Sequence, residues 1–318
     1  MRWYLNDLSI RGQYANSAAF LNEVEDLMRL RRQVQALKDH LFCSRTLYNQ
    51  PVTRNADFRV AVQSAPDRNL TRLVLEWITR SGPFLEEDRQ PNEDDYFECA
   101  GTDVTDMGLG EAARRLVANE VATSFSFGGG GFDCQSINIC HGLPQAPIGA
   151  VFVPNIWDIA ALRTQAIAAI PEPANWQQML EQAQLRFDRL TLPSTAIAPL
   201  AREPFSAYVV ERIFVLLGIL QEFAASRNAD GSYSARNHEL IAKHFAGEKD
   251  LFTDESESNK RNFREELSFS DAENPGTKVF CPWHGKIKTP QYRIHFEWPL
   301  DARPNVQIFY IGPKITKS

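Results

Sequence analysis

The sequence predicts an α+β protein. A mixed helical and sheet body is expected over residues 1–227, followed by a C-terminal module over 228–318 that ends in an antiparallel β-meander. Three observations predict this. Apolar residues recur at helical spacing in the first forty positions, at Phe20, Val24, Leu27, Leu30, Val34 and Leu37. Short β-like runs separated by glycine turns follow residue 121. The last forty residues fall into three further β-like runs punctuated by Pro290, Pro299 and Pro304.

In order, 3–10 reads as a short strand, and Asn16 or Ser17 caps a long helix to about residue 40. Loop follows over 43–52. Asp67 caps a second helix to residue 80, with Leu70, Leu73, Val74 and Trp77 on one face, and Gly82-Pro83 stops it. Thr105 or Asp106 is placed to cap the helix that follows Gly108 and Gly110, with Glu111 in its early turns. Two glycines at a helix start can also admit a phosphate, although the spacing is neither a P-loop nor a Rossmann fingerprint. Strands are expected over 121–127, 136–140 and 148–153, in one sheet. Helices are expected over 156–170, 176–190 and 205–225; the last is apolar almost all round and therefore buried. Asp230-Gly231-Ser232 marks the boundary between body and module. A short helix spans 238–245, and Thr253 or Asp254 caps another that carries Phe263 and Leu267. The meander strands are expected over 278–281, 292–298 and 306–311.

The net charge of −6 argues against a general nucleic-acid coat protein. The charge is uneven, however. From residue 278 on, seven lysines and arginines (Lys278, Lys286, Lys288, Arg293, Arg303, Lys314, Lys317) stand against two acids (Glu297, Asp301). That is a net +5, which leaves −11 on the preceding residues. Such a tail either meets an anionic partner or packs on the protein's own acids. No apolar run reaches the roughly 18 residues of a membrane span, and residues 1–7 lack the apolar core of a signal peptide. The five cysteines are an odd, widely spaced set, as expected for a reduced, cytoplasmic protein. Cys134, Cys140 and His141 lack a fourth ligand, so no metal or other cofactor is expected. The acids Glu86, Glu87, Asp88, Glu93, Asp94 and Asp95 form a solvated loop or, alternatively, a divalent-metal nuclease site.

The chemistry-bearing residues concentrate in the tail. If Arg293 and His295 alternate with Ile294 and Phe296, the two polar side chains share a face of the sheet, while Tyr292, Ile294 and Phe296 face the core. His284, Lys286 and Lys288 come from the neighbouring strand or loop and can reach the same face. His284, Lys286, Arg293 and His295 are the groups that metal-free RNA cleavage needs: a base for the 2′-hydroxyl, a cation for the phosphorane, an acid for the leaving oxygen. Lys288, Lys260, Arg261 and Lys314 are candidate phosphate contacts, Trp283 a base-stacking ring, and Glu255 with Lys260 a second tier. The plain structural alternative is that His295 bonds across a sheet and His284 sits in a loop.

The run Gln291-Tyr292-Arg293-Ile294-His295-Phe296-Glu297-Trp298, followed by Val306-Gln307-Ile308-Phe309-Tyr310-Ile311-Gly312, resembles the C-terminal β-meander of RelE-type toxin ribonucleases. The resemblance covers about the last forty residues and implies that Arg293 lies on an RNA-facing sheet. The final strand lacks the terminal tyrosine or histidine usual in that family, and Lys314 and Lys317 follow it instead. The wider texture is similar to that of bacterial defence-island proteins. The expected function is a nucleic-acid-acting effector, a metal-independent RNase of bacterial stress or anti-phage defence. The alternative is a non-enzymatic adaptor of a multi-protein complex. Expected partners are nucleic acid, RNA ahead of DNA, and a protein subunit such as an ATPase or an antitoxin-like chain. No membrane is expected.

Overall fold

The structure, a computed structural model, describes residues 1–89, 95–246, 250–271, 273–274, 276–300 and 303–316. It is an α+β protein. Two compact units divide the chain, Met1–Ile170 and Pro171–Ser318. Among the described residues, no helix is long and apolar enough to cross a membrane.

The first unit is built on strands β1 (Arg2–Leu5), β2 (Leu41–Phe42), β3 (Phe97–Cys99), β4 (Thr102–Asp103), β5 (Ala122–Phe125), β6 (Ser136–Leu143) and β7 (Ala146–Ile156). They form one sheet in the order β2-β1-β5-β7-β6-β3-β4. β2, β1, β5 and β7 run parallel, whereas β7, β6, β3 and β4 are antiparallel. The three strands expected between 121 and 153 therefore do share a sheet.

The helices of this unit are α1 (Ser17–Gln33), α2 (Gln35–His40), α3 (Phe58–Gln63), α4 (Arg68–Glu76), α5 (Leu85–Asp88), α6 (Gly108–Val117) and α7 (Ile159–Ala168). Asn16 and Asp67 cap α1 and α4 as expected, accepting from Ala19 N and Asn69 N. The single long helix expected to residue 40 is broken at Val34. This β-branched residue takes an extended backbone and is fully buried. The second expected helix changes pitch after Glu76, and Trp77–Ser81 is a π-helical turn.

The start of α6 departs from expectation in an instructive way. Neither Thr105 nor Asp106 caps it, because Thr105 is bonded to the Phe97 backbone and Asp106 to Arg89. The buried carboxylate of Asp7, just past β1, accepts from Gly108 N at 2.9 Å and also from the Ser44 hydroxyl. A Cβ on Gly108 would sit 1.8 Å from the Leu5 carbonyl oxygen, and one on Gly110 2.0 Å from that of Val104. These glycines exist for close backbone packing, which leaves no room there for a phosphate.

The second unit contains α8 (Trp176–Arg186), β8 (Leu190–Thr191), a 3₁₀ stretch (Ser194–Arg202), α9 (Ala207–Ala225), α10 (Ala235–His244), β9 (Phe252–Thr253) and α11 (Glu257–Asn262). It continues with β10 (Ser268–Ser270), β11 (Lys278–Phe280), β12 (His284–Ile287), β13 (Tyr292–Phe296) and β14 (Val306–Pro313). The main sheet has the order β8-β14-β13-β12-β9, and β10 and β11 form a separate hairpin. A C-terminal antiparallel meander is thus present, but its members are β12, β13 and β14. The run at 278–281 pairs with β10 instead, in register Ser270↔Lys278.

The expected boundary at 227/228 falls inside this unit. Val209, Ile213, Leu216 and Leu220 of α9 share one core with Phe252, Ile294, Phe296 and Ile308 of the sheet. Removing that helix would strip the apolar face of the meander. The Asp230-Gly231-Ser232 turn is real, since Ser232 N donates to Asp230 at 2.9 Å, but it merely links α9 to α10. Likewise α11 is capped by Ser256, which accepts from Asn259 N, because Asp254 is engaged by Lys260.

Candidate nucleic-acid interface

Strand register decides which tail residues meet. His284 faces His295 across β12 and β13, and Lys286 faces Arg293. Alternation puts Gly285, Ile287, Tyr292, Ile294 and Phe296 on the opposite face. Of these, Ile287, Tyr292, Ile294 and Phe296 join the core with α9. The four polar residues therefore form a two-by-two grid on the other face of the sheet, as the alternation predicts.

Their surroundings were not legible in the sequence. His284 is only 3% exposed and His295 only 1%. The Phe269 ring of β10 lies 5.5 Å from the His295 ring and Tyr310 of β14 lies 5.6 Å from it, while the two imidazoles are 5.2 Å apart. His295 Nδ1 is 2.9 Å from the Cys281 carbonyl and His284 Nδ1 is 3.2 Å from that of Pro282. A carbonyl can only accept, so both rings carry their proton on Nδ1.

Burial holds His284 down to about 4, with Arg293, Lys286 and Lys314 adding repulsion. Burial likewise holds His295 down to about 3, with His284 adding to the effect. Both rings are neutral at neutral pH. In this arrangement neither is placed to hand a proton to a ligand at the surface. Glu255, 8% exposed, lies beside them, its Oε1 3.6 Å from His284 Nδ1. The carboxylate accepts from Asn259 Nδ2 at 2.7 Å and from the Thr316 hydroxyl at 3.0 Å.

The cations divide into two groups. Lys286 is tied to Asp250 at 2.6 Å, Lys260 to Asp254 at 2.6 Å and Glu257 at 2.8 Å, and Arg303 to Asp271 at 2.7 Å. Two of the tail's cations, Lys286 and Arg303, are thus met by acids at 250–273 of the same unit. This is the self-packing alternative, with the partner acids nearby rather than in the body. Arg293 gives Nη1 to the carbonyls of Ile287 and Tyr292. Lys288 is exposed and Lys314 half-buried, and neither forms an ion pair among the described residues. They meet at one end of the sheet: Lys288 opens the β12–β13 turn, and Lys314 N donates to Gln291 in that same turn at 2.8 Å.

One other expectation is corrected. Trp283 is not a free stacking surface; it packs 5.8 Å from Trp298 and 6.1 Å from Phe245 in the aromatic edge of the core. Arg261 is exposed, and its Nε donates to the carbonyl of Glu257, which opens the same short helix. Lys317 lies outside the described residues.

The acidic run at 86–95 is largely engaged by arginines. Glu86 accepts from Arg45 N at 2.7 Å, Glu87 pairs with Arg45, Asp88 with Arg2 and Arg115, and Asp95 with Arg114. Glu93 and Asp94 lie outside the described residues. No group of three or more metal-ligating side chains forms among the described residues. Cys134 and Cys140 are exposed, while His141 stacks on Phe97 at 4.7 Å.

No protein-family model, no curated protein and no solved structure matches the chain.

Proposed function

We propose that this chain is a nucleic-acid-docking protein that binds through the basic end of its C-terminal sheet and does not cleave through its histidine pair. The observation that carries the reading is the contrast on one sheet. Lys288 and Lys314 gather beside Arg293 at the β12–β13 turn without carboxylate partners among the described residues, while His284 and His295 are sealed and neutral. Accessible lysines at a sheet end can neutralise backbone phosphates without reading bases. The β12-β13-β14 order also suits the RelE-type likeness of the tail, in which Arg293 belongs to the RNA-facing sheet.

The test is fluorescence anisotropy of labelled single-stranded RNA and DNA over a salt series, beside a cleavage assay in EDTA. Binding is expected to weaken with salt, and no cleavage is expected. A Lys288→Ala/Lys314→Ala variant should lower the slope of log K against log salt by about 1.4, at roughly 0.7 for each lost phosphate contact to a single strand. An unchanged slope would overturn this assignment of the interface. EDTA-resistant RNA cleavage that disappears in a His284→Ala/His295→Ala variant would overturn the docking reading in favour of catalysis.

A further inference from the structure

A second gathering of positive charge lies in the first unit. A cleft of about 850 Å³ is lined by Arg45, Tyr48, Arg59, Arg72, Glu76 and Arg80, among others. Arg59 belongs to α3, Arg72 to α4, Arg80 to the π-helical turn, and Arg45 and Tyr48 to the segment after β2. None of these residues takes part in the basic sheet end described above.

Three features mark the cleft as built for an anion. First, four arginines and one glutamate line its walls, a net +3. Arg45 is partly neutralised by Glu87 and lies over the Phe84 ring at 4.1 Å. Arg59, Arg72 and Arg80 are exposed and form no ion pair among the described residues. Like charges converging from separate elements repel one another, and an anionic ligand relieves that cost. Second, the wall is fixed. The π-helical turn contributes Ile78, Thr79 and Arg80 to the lining, with Ile78 itself buried, and Arg31 packs against the turn. The Arg31 guanidinium stacks 4.3 Å over Trp77 and donates to the Gly82 carbonyl at 3.0 Å. Such turns recur at functional sites because the extra residue redirects side chains. Third, the size is that of a small-molecule site rather than a long polymer track. The half-buried Tyr48 ring offers a stacking surface, and Glu76 an acceptor for amines or hydroxyls.

From this we infer that the cleft binds a nucleoside polyphosphate, with the phosphate chain on Arg59, Arg72 and Arg80 and the base against Tyr48. Guanidiniums match phosphate oxygens in forked pairs, so three of them can hold a di- or triphosphate.

The experiment is calorimetric titration of the full chain with ATP, GTP, inorganic tripolyphosphate and a short single-stranded oligonucleotide. The nucleotides are expected to bind, and an Arg59→Ala/Arg72→Ala variant should weaken them by roughly tenfold or more. Both residues are exposed, so the variant should fold; an unchanged thermal melt without ligand confirms this. Tyr48→Ala should weaken the nucleotides toward the affinity of tripolyphosphate. The inference is overturned if neither nucleotide binds, or if the double-arginine variant binds them as well as the parent. It is also overturned if the oligonucleotide alone binds, or if tripolyphosphate binds as tightly as the nucleotides and Tyr48→Ala changes nothing.

Discussion

Acid should loosen the C-terminal unit through two particular imidazoles. An ordinary histidine titrates at 6.5, but burial holds His284 at about 4 and His295 at about 3. The unfolded chain therefore takes up protons below 6.5 that the folded chain refuses. Stability is fully present above 6.5 and is lost as pH falls toward the folded values. At pH 5 each ring is 1.5 pH units below its unfolded value and still neutral when folded, a loss of about 2 kcal/mol apiece at 1.36 kcal/mol per unit. The pair together should cost the unit about 4 kcal/mol between pH 7.5 and 5. The assay is hydrogen exchange of the β12 and β13 amides at the two pH values, corrected for intrinsic rates, with NMR of ¹⁵N-labelled histidine alongside. The His284 and His295 rings should stay neutral at pH 5. A His284→Gln/His295→Gln variant should lose most of the pH dependence, because glutamine does not titrate. If the His284 and His295 rings titrate near 6.5, or the variant keeps the full pH dependence, the account of a sealed neutral pair is refuted.

Three further outcomes follow from the packing. Gly108→Ala places a Cβ 1.8 Å from the Leu5 carbonyl oxygen, so β1 and α6 must separate; a fall in thermal midpoint or loss of soluble protein checks this. Asp7→Ala leaves the Gly108 N–H and the Ser44 hydroxyl without their acceptor and should cost about 2–4 kcal/mol in denaturant unfolding. Burial already pushes the Asp7 carboxyl up, toward its neutral form, so Asp7→Asn should cost clearly less than Asp7→Ala. Phe245→Ala removes a ring stacked on Phe252 at 4.5 Å and on Trp298 at 4.6 Å and should destabilise the second unit by about 3–5 kcal/mol, read by Trp fluorescence during unfolding.

Local chemistry was legible in the sequence where it acts locally. Asn16 and Asp67 announced their helices because a cap bonds within three residues. The sharing of a face by Arg293 and His295 followed from strand alternation alone. What the sequence leaves hidden depends on distant segments. The burial of His295 comes from Phe269, which no local pattern links to β13. β12 carries little strand signal, because Gly285 leaves one of its two core-facing positions without an apolar side chain and only Ile287 marks that face. The Asp7 cap spans 101 positions to Gly108, so Thr105 and Asp106 were the nearer candidates. The arginine cleft collects Arg45, Arg59, Arg72 and Arg80, which are spread over helices and turns with no shared spacing to betray them.

The position of β14 bears on how the protein is made. This strand leaves the ribosome after every other strand of its unit, yet it lies between β8 and β13 and not at an edge. Until it emerges, β13 exposes an unpaired backbone ladder and α9 lacks part of its apolar cover. The nascent unit must therefore wait with its sheet divided, β8 on one side and β9, β12 and β13 on the other. A premature stop before residue 306 would leave that sheet in two halves with the apolar face of α9 partly uncovered, a target for chaperones and proteases.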